Sequence, residues 1–242
     1  MKKLFIVILS ITLLFNILCL PAFAETNNAE AIDEAFKYSL INREISNLED
    51  GVMPTSDSSN APWYNIDPKK ELPRKPVMNK YDYSEVKRGD VLYEAAGFFG
   101  LTGHVAIVAG WEYDATYDVM YILLIESVQD GVCYGYLDDE RLEEREGTLY
   151  HVDATDEQIE TAFSIISTYN LMGKPWGFQA NKPDTVEEIA AQDKWQCSTL
   201  VWAIYYQAEI DLEQKGLGTG LGVTPHDIRD GPLKDNAYLT YQ

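Results

Sequence analysis

A cysteine does nucleophilic chemistry as a thiolate, and the chain holds one cysteine placed to become one. The stretch Trp195-Gln196-Cys197-Ser198-Thr199-Leu200-Val201 leads into a run free of Pro and Gly through Gln207. Leu200, Val201, Ile204, Tyr205 and Ala208 recur at helical spacing, so a helix is predicted to start at Cys197. Unpaired backbone N–H groups and the positive end of the helix dipole converge there, and both favour the thiolate. The alternative is a cysteine that simply packs in the core. A base elsewhere in the chain decides between the two.

Three histidines are available. His104 opens an apolar strand directly after the glycine-rich stretch Gly97 to Gly103, where a side chain can face a cleft. His151 lies in a short strand amid charge and reads as a surface residue. His226 follows Pro225 at a helix start and reads as a capping-region residue. His104 is therefore the expected base. The group orienting it should come from a neighbouring strand. Glu126 ends the apolar run Tyr121-Ile122-Leu123-Leu124-Ile125 and is preferred. Asp90, in a turn, and Glu94, read as exposed, are the alternatives. A carboxylate buried beside His104 would fix the imidazole tautomer and stabilise the imidazolium. The Cys197 N–H at the helix start would meet an oxyanion. Trp176, Trp195 and Tyr93, with Phe178, are the candidate substrate-side aromatic residues.

The elements that must position these groups follow from periodicity and turn signals. Strands are predicted at Gly89 to Ala95, His104 to Trp111, Val119 to Ser127, Val132 to Tyr136 and Thr148 to Val152, with Gln129-Asp130-Gly131 closing a hairpin. Leu137 to Glu146 reads as a charged helical turn. Thr155 and Gln158 form a capping box for a helix marked by Ile159, Phe163, Ile166 and Tyr169, ending at Gly173 and Pro175. A long loop runs to Lys194 before the Cys197 helix. Gly216 to Gly222 reads as flexible, Pro225 to Arg229 as a helical turn and Ala237 to Tyr241 as a last strand. Strands first and helices after suit an α+β domain.

Met1-Lys2-Lys3, the apolar run Leu4 to Leu20 and Ala22-Phe23-Ala24 have the form of a secretory signal cut after Ala24. Cys19 would leave with it, and Cys133 and Cys197 would remain as free thiols or one disulfide. Removing Lys2 and Lys3 leaves 17 basic against 39 acidic residues, a net charge of −22. Such a surface argues against nucleic acid and anionic lipid as partners. The Cys and His spacing fits no zinc site, and no metal or other cofactor is expected. Residues 25–80 read as an N-terminal helix (to about Leu48) and a Pro-rich connector. Trp63, Tyr64 and Ile66 are too apolar for a free linker, so the connector is expected to pack on the domain at 81–242 and cover part of the cleft.

The motifs also carry a resemblance. Gln196-Cys197-Ser198-Thr199-Leu200-Val201 resembles the D-C-S-G-L-V cysteine motif of NlpC-type papain-fold amidases. Gly103-His104-Val105-Ala106-Ile107-Val108-Ala109-Gly110 resembles their G-H-V-G-I-Y-x-G histidine motif, with Ala106 in place of glycine. Histidine precedes cysteine here, as in the circularly permuted YiiX/YycO-like branch. Gly89-Asp90, Glu126, Gly173-Lys174-Pro175-Trp176 and Thr224-Pro225-His226-Asp227-Ile228 are similar to further elements of that branch. The resemblance spans roughly Tyr83 onward. It implies an α+β papain-like fold, an antiparallel sheet or small barrel packed against helices. It further implies an exported bacterial cysteine amidase or peptidase, with Cys197 as nucleophile, His104 as base, Glu126 as orienter and peptide or cell-wall material as substrate. Relatives of the same order that handle acyl chains leave a lipid acyl hydrolase or acyltransferase as an alternative, and a catalytically silent binding module is another. No stable membrane insertion is expected once the signal is removed.

Overall fold

The architecture is that of a computed structural model, described over residues 61–95, 103–177, 182–214 and 222–242. The expected N-terminal signal, the helix expected to Leu48, most of the glycine-rich loop before His104, Phe178 and most of Gly216 to Gly222 lie outside these residues. The described part is α+β, built on one open antiparallel sheet of six strands. In chain order the strands are β1 (Val91–Glu94), β2 (His104–Asp114), β3 (Val119–Val128), β4 (Gly131–Leu137), β5 (Gly147–Tyr150) and β6 (Ala237–Thr240). Their spatial order is β4-β3-β2-β1-β5-β6. The helices are α1 (Asp139–Glu144), α2 (Asp156–Thr168), α3 (Val186–Ala191), α4 (Cys197–Tyr206) and α5 (Pro225–Arg229).

Tight local signals set these boundaries. Thr155 and Gln158 make the expected capping box at α2, and Thr224 with Asp227 makes a second one at α5, where Pro225 takes a first-turn position. The β3–β4 hairpin turns at Gly131, whose φ of +101° suits glycine, and a side chain there would meet the Lys174 carbonyl at 2.5 Å. The expected loop from Gly177 to Lys194 contains α3, capped by Thr185. A six-residue helix with only Ile189 buried gives a weak periodic signal, which is why its sequence reads as loop.

The sheet is buried on both faces. Leu92, Ala106, Val108, Ile122, Leu124 and Leu137 form one face with Leu142 of α1. Val91, Tyr93, Val105, Ile107, Ile125 and Val132 form the other, against α2 and α4. This explains the near-continuous apolar run of β3, which a half-exposed strand would alternate. Helix α4 is buried from Cys197 to Tyr205, apolar on all sides as an interior helix must be. Residues 63–66 pair with the outer edge of β4. The Ile66 N–H donates to the Tyr134 carbonyl at 3.0 Å and the Tyr136 N–H to the Trp63 carbonyl at 3.0 Å. Gly173 and Lys174 pair with Val132 on the same edge, so β4 presents few free backbone groups.

Candidate active site

Four neighbouring strands bring one row of groups together on the α1 side of the sheet. His104 is the first residue of β2, and Glu94 of β1 is its cross-strand partner. Glu126 lies on β3, opposite Cys133 of β4. Period-2 alternation sends His104 to the same face as Ala106, and Glu126 to the same face as Leu124. His104 Nε2 is 2.7 Å from Glu126 Oε2, with Glu126 fully buried.

The Cys197 sulfur lies within hydrogen-bonding reach of the same imidazole. Because Glu126 occupies Nε2, Nδ1 is the nitrogen left for the thiol. Cys197 is the first residue of α4, and its N-cap Gln196 makes no side-chain cap bond. The cap thus supplies no side-chain acceptor to the first-turn N–H groups, an arrangement suited to a developing oxyanion. Both described cysteines are free and buried, so no disulfide joins Cys133 to Cys197. Cys133 sits beneath Glu126, and burial followed by the Glu126 charge pushes its thiol up to about 12.

One short link sets the sulfur against the imidazole. Ser127, next to Glu126, donates from its hydroxyl to the carbonyl of Trp195, two residues before Cys197, at 2.8 Å. Trp195 in turn bridges Trp176: the Trp195 N–H donates to the Pro175 carbonyl at 2.9 Å and the Gly177 N–H to the Trp195 carbonyl at 3.2 Å. Ser198 donates to the Val223 carbonyl at 2.6 Å. The start of α4 is therefore tied to the end of β3 and to two loops.

The residue that sequence reasoning missed is Arg141. It sits on α1 in a stretch rich in charge, and it is fully buried. Its Nη1 and Nη2 donate to the two Glu126 oxygens at 2.9 and 2.8 Å. Its Nε donates to Glu94 Oε1 at 2.7 Å and Nη2 to Glu94 Oε2 at 3.3 Å. One guanidinium thus spans from β3 to β1 across β2, a fork that a lysine could not reproduce. Gly135 of β4 makes room for it. A Cβ there would fall 1.9 Å from Glu126 Oε1 and 2.9 Å from Arg141 Nη1. A glycine inside an apolar strand with no turn beside it was the available signal, since such a glycine often marks a close approach.

Electrostatics follow the contacts. Burial alone would push the His104 imidazolium down, but Cys197, and after it Glu126, outweigh that and raise its pKa to about 10. Burial works to raise Glu126, yet Arg141 and His104 hold its carboxyl well below the usual carboxylate range. A carboxylate fixed by an arginine cannot swing away from the histidine, so the imidazole keeps one orientation.

Several expectations change. Glu94, read as exposed, is fully buried because Arg141 neutralises it; it braces Glu126 through Arg141. Asp90 stays with its turn, accepting from the Lys87 N–H at 2.8 Å and the Tyr238 hydroxyl at 2.8 Å. His151, read as a surface residue, is half-buried, with Nδ1 3.0 Å from Asp90 Oδ1 and its ring stacked on Tyr238. Of the aromatic residues expected to meet substrate, Trp176 keeps solvent-facing surface. Trp195 is 0 % exposed within the main core, where it backs the start of α4. Tyr93 is also buried, its hydroxyl accepting from Arg229 Nη1 at 3.1 Å and its ring edge-on to His226. Neither has a free face for a ligand in this conformation.

Among the described residues no group of three or more His, Cys, Asp or Glu side chains could hold a metal ion, and no helix is long and apolar enough to cross a membrane. No family model matches the chain, and no curated protein matches it in sequence.

Proposed function

We propose that the chain is an exported cysteine hydrolase that cleaves amide bonds, of the permuted NlpC-type papain-like kind, with peptide or cell-wall material as substrate. One observation carries the reading: a single imidazole lies between a free cysteine at a helix start and a buried carboxylate that an arginine holds in place. A cysteine and a histidine that served only packing would gain nothing from a charged second partner in the interior, where each buried ion is costly.

In this mechanism Cys197 Sγ, its proton held on His104, attacks the carbonyl carbon. The oxyanion is met by the Cys197 N–H at the helix start. His104 then passes its proton to the leaving nitrogen as the C–N bond breaks, leaving an acyl-thioester on Cys197. A water deprotonated by His104 attacks the thioester and regenerates the thiolate. Glu126 remains ionised throughout and stabilises the imidazolium, as Arg141 keeps it from rotating.

The test is product analysis. Purified peptidoglycan and its peptide fragments are incubated with wild type and with Cys197→Ala, and new amine ends are read by mass spectrometry. New ends from wild type alone support the proposal. Turnover of acyl esters with no amide cleavage moves it to a lipid acyl hydrolase. No turnover, together with thiol reactivity that ignores His104, leaves a silent binding module.

A further inference from the structure

The connector ahead of the sheet does more than cover an edge strand. Between the two backbone anchors on β4, at Trp63 and Ile66, the chain turns through Asn65 at φ +55°. Trp63 is pinned separately, its indole N–H donating to Asp138 Oδ1 at 2.9 Å just before α1. The residue held between these points is Tyr64. Its ring lies 4.6 Å from the Arg141 guanidinium carbon, within cation–π range, and 5.9 Å from that of Arg145. The same ring stands edge-on to His104, centroids 6.4 Å apart at 85°. The Tyr64 hydroxyl is buried and makes no hydrogen bond. The ring, rather than its hydroxyl, makes these contacts.

We infer that Tyr64 is a positioning residue for the cysteine–histidine pair, so that the catalytic centre is completed by a segment preceding the strands and helices that carry its other members. The inference rests on the reading above. The physical argument has two parts. A ring over the guanidinium keeps water from Arg141, and the drier surroundings strengthen its hold on Glu126. A ring edge against His104 resists rotation of the imidazole, which must present Nδ1 to Cys197 and Nε2 to Glu126 together. The groups facing His104 are then Cys197 from α4, Glu126 from β3 with Arg141 of α1 behind it, Glu94 from β1 as its cross-strand partner, and Tyr64 from the connector.

The experiment measures the rate of Cys197 alkylation by iodoacetamide against pH. The full chain is used as wild type, Tyr64→Phe, Tyr64→Leu, Tyr64→Ala and His104→Ala, each checked for cooperative unfolding. Tyr64→Phe keeps the ring and is expected to reproduce the wild-type profile. Tyr64→Ala is expected to lower the plateau rate between about 10- and 100-fold, as small misplacements of reacting groups do. Tyr64→Leu fills the space without an aromatic face; it is expected to follow alanine, and it decides the matter if alanine does not fold. A Tyr64→Ala or Tyr64→Leu profile equal to wild type overturns the inference, and so does a Tyr64→Phe profile equal to that of alanine. If His104→Ala alkylates as wild type does, the hydrolase reading fails and takes this inference with it. A His104-dependent wild type with unchanged Tyr64 variants removes the inference alone.

Discussion

Two histidine–carboxylate pairs stand out among the described residues, and the contrast between them shows what sets one apart as a candidate for chemistry. His104 and Glu126 lie 2.7 Å apart on neighbouring strands, and His151 and Asp90 lie 3.0 Å apart at the other side of β1. The local chemistry is nearly the same. The surroundings differ in three respects. Glu126 is locked from behind by a buried arginine, whereas Asp90 is held by a backbone N–H and a tyrosine hydroxyl. The His104 ring has a thiol on its free side, whereas the His151 ring is stacked on Tyr238. His104 is buried while His151 is about a third exposed. The second pair closes the sheet, since Tyr238 belongs to β6 and the His151 backbone pairs with Asn236. A histidine beside a carboxylate is a common structural clip; a nucleophile on the other nitrogen makes it a candidate for chemistry.

The sharpest way to break this comparison is to remove each histidine in turn. His104→Ala is expected to lower Cys197 reactivity and any amide turnover by about 10²- to 10⁴-fold, the range for loss of a general base. His151→Ala is expected to leave both unchanged. Thiol labelling followed by mass spectrometry measures this, and equal losses would erase the distinction. Cys133, pushed up to about 12, is expected to stay unlabelled in both near neutral pH.

Next in size is the arginine that backs only one of the pairs. Arg141→Ala takes from Glu94 and Glu126 the guanidinium they share, leaving Arg145 at 3.7 Å from Glu94 and His104 beside Glu126, and breaking a buried pair this way costs about 3–5 kcal/mol. Denaturant unfolding reads the loss. A fall within that of an ordinary surface substitution would mean that the carboxylates are not held as described. Gly135→Ala attacks the same pair from beneath, because the new methyl must displace Glu126 Oε1 or Arg141. A loss of about 1–3 kcal/mol is expected, as for an overpacked core, along with slower Cys197 alkylation.

The smallest effect is a pH dependence that belongs to the His104 pair. Its pKa rises from the ordinary imidazole value of 6.5 to about 10 in the folded chain. A raised pKa contributes stability that is complete below the unfolded value and is lost as pH climbs through the folded one. Stability measured near pH 7 and again above about pH 10 is thus expected to fall by a component that vanishes in His104→Gln and survives in His151→Gln. Glu126→Gln is expected to move this loss to lower pH, because it removes one of the groups that raise the imidazole.

Much of the fold could be read from local pattern, because local pattern is set by backbone chemistry within a few residues. The apolar runs of β2 and β3, the Gly131 hairpin, the Thr155 capping box and the helix opening at Cys197 are each decided by neighbours in sequence. The expectation that Trp63, Tyr64 and Ile66 pack on the domain also follows from composition, since such side chains leave water when they can. What the sequence could not decide is which charges leave water. Arg141 stands in a run of acidic and basic residues that reads as a solvated turn. It is buried only because Glu94 and Glu126, 47 and 15 residues earlier, arrive on adjacent strands to neutralise it. Glu94 reads as exposed and Trp195 as facing a cleft for the same reason: burial belongs to the assembled sheet and helices, not to any segment. By itself the sequence determined the elements and the types of group able to react. Tertiary structure decided which charges are paired, and pairing in a dry interior gives the His104 imidazole one fixed orientation.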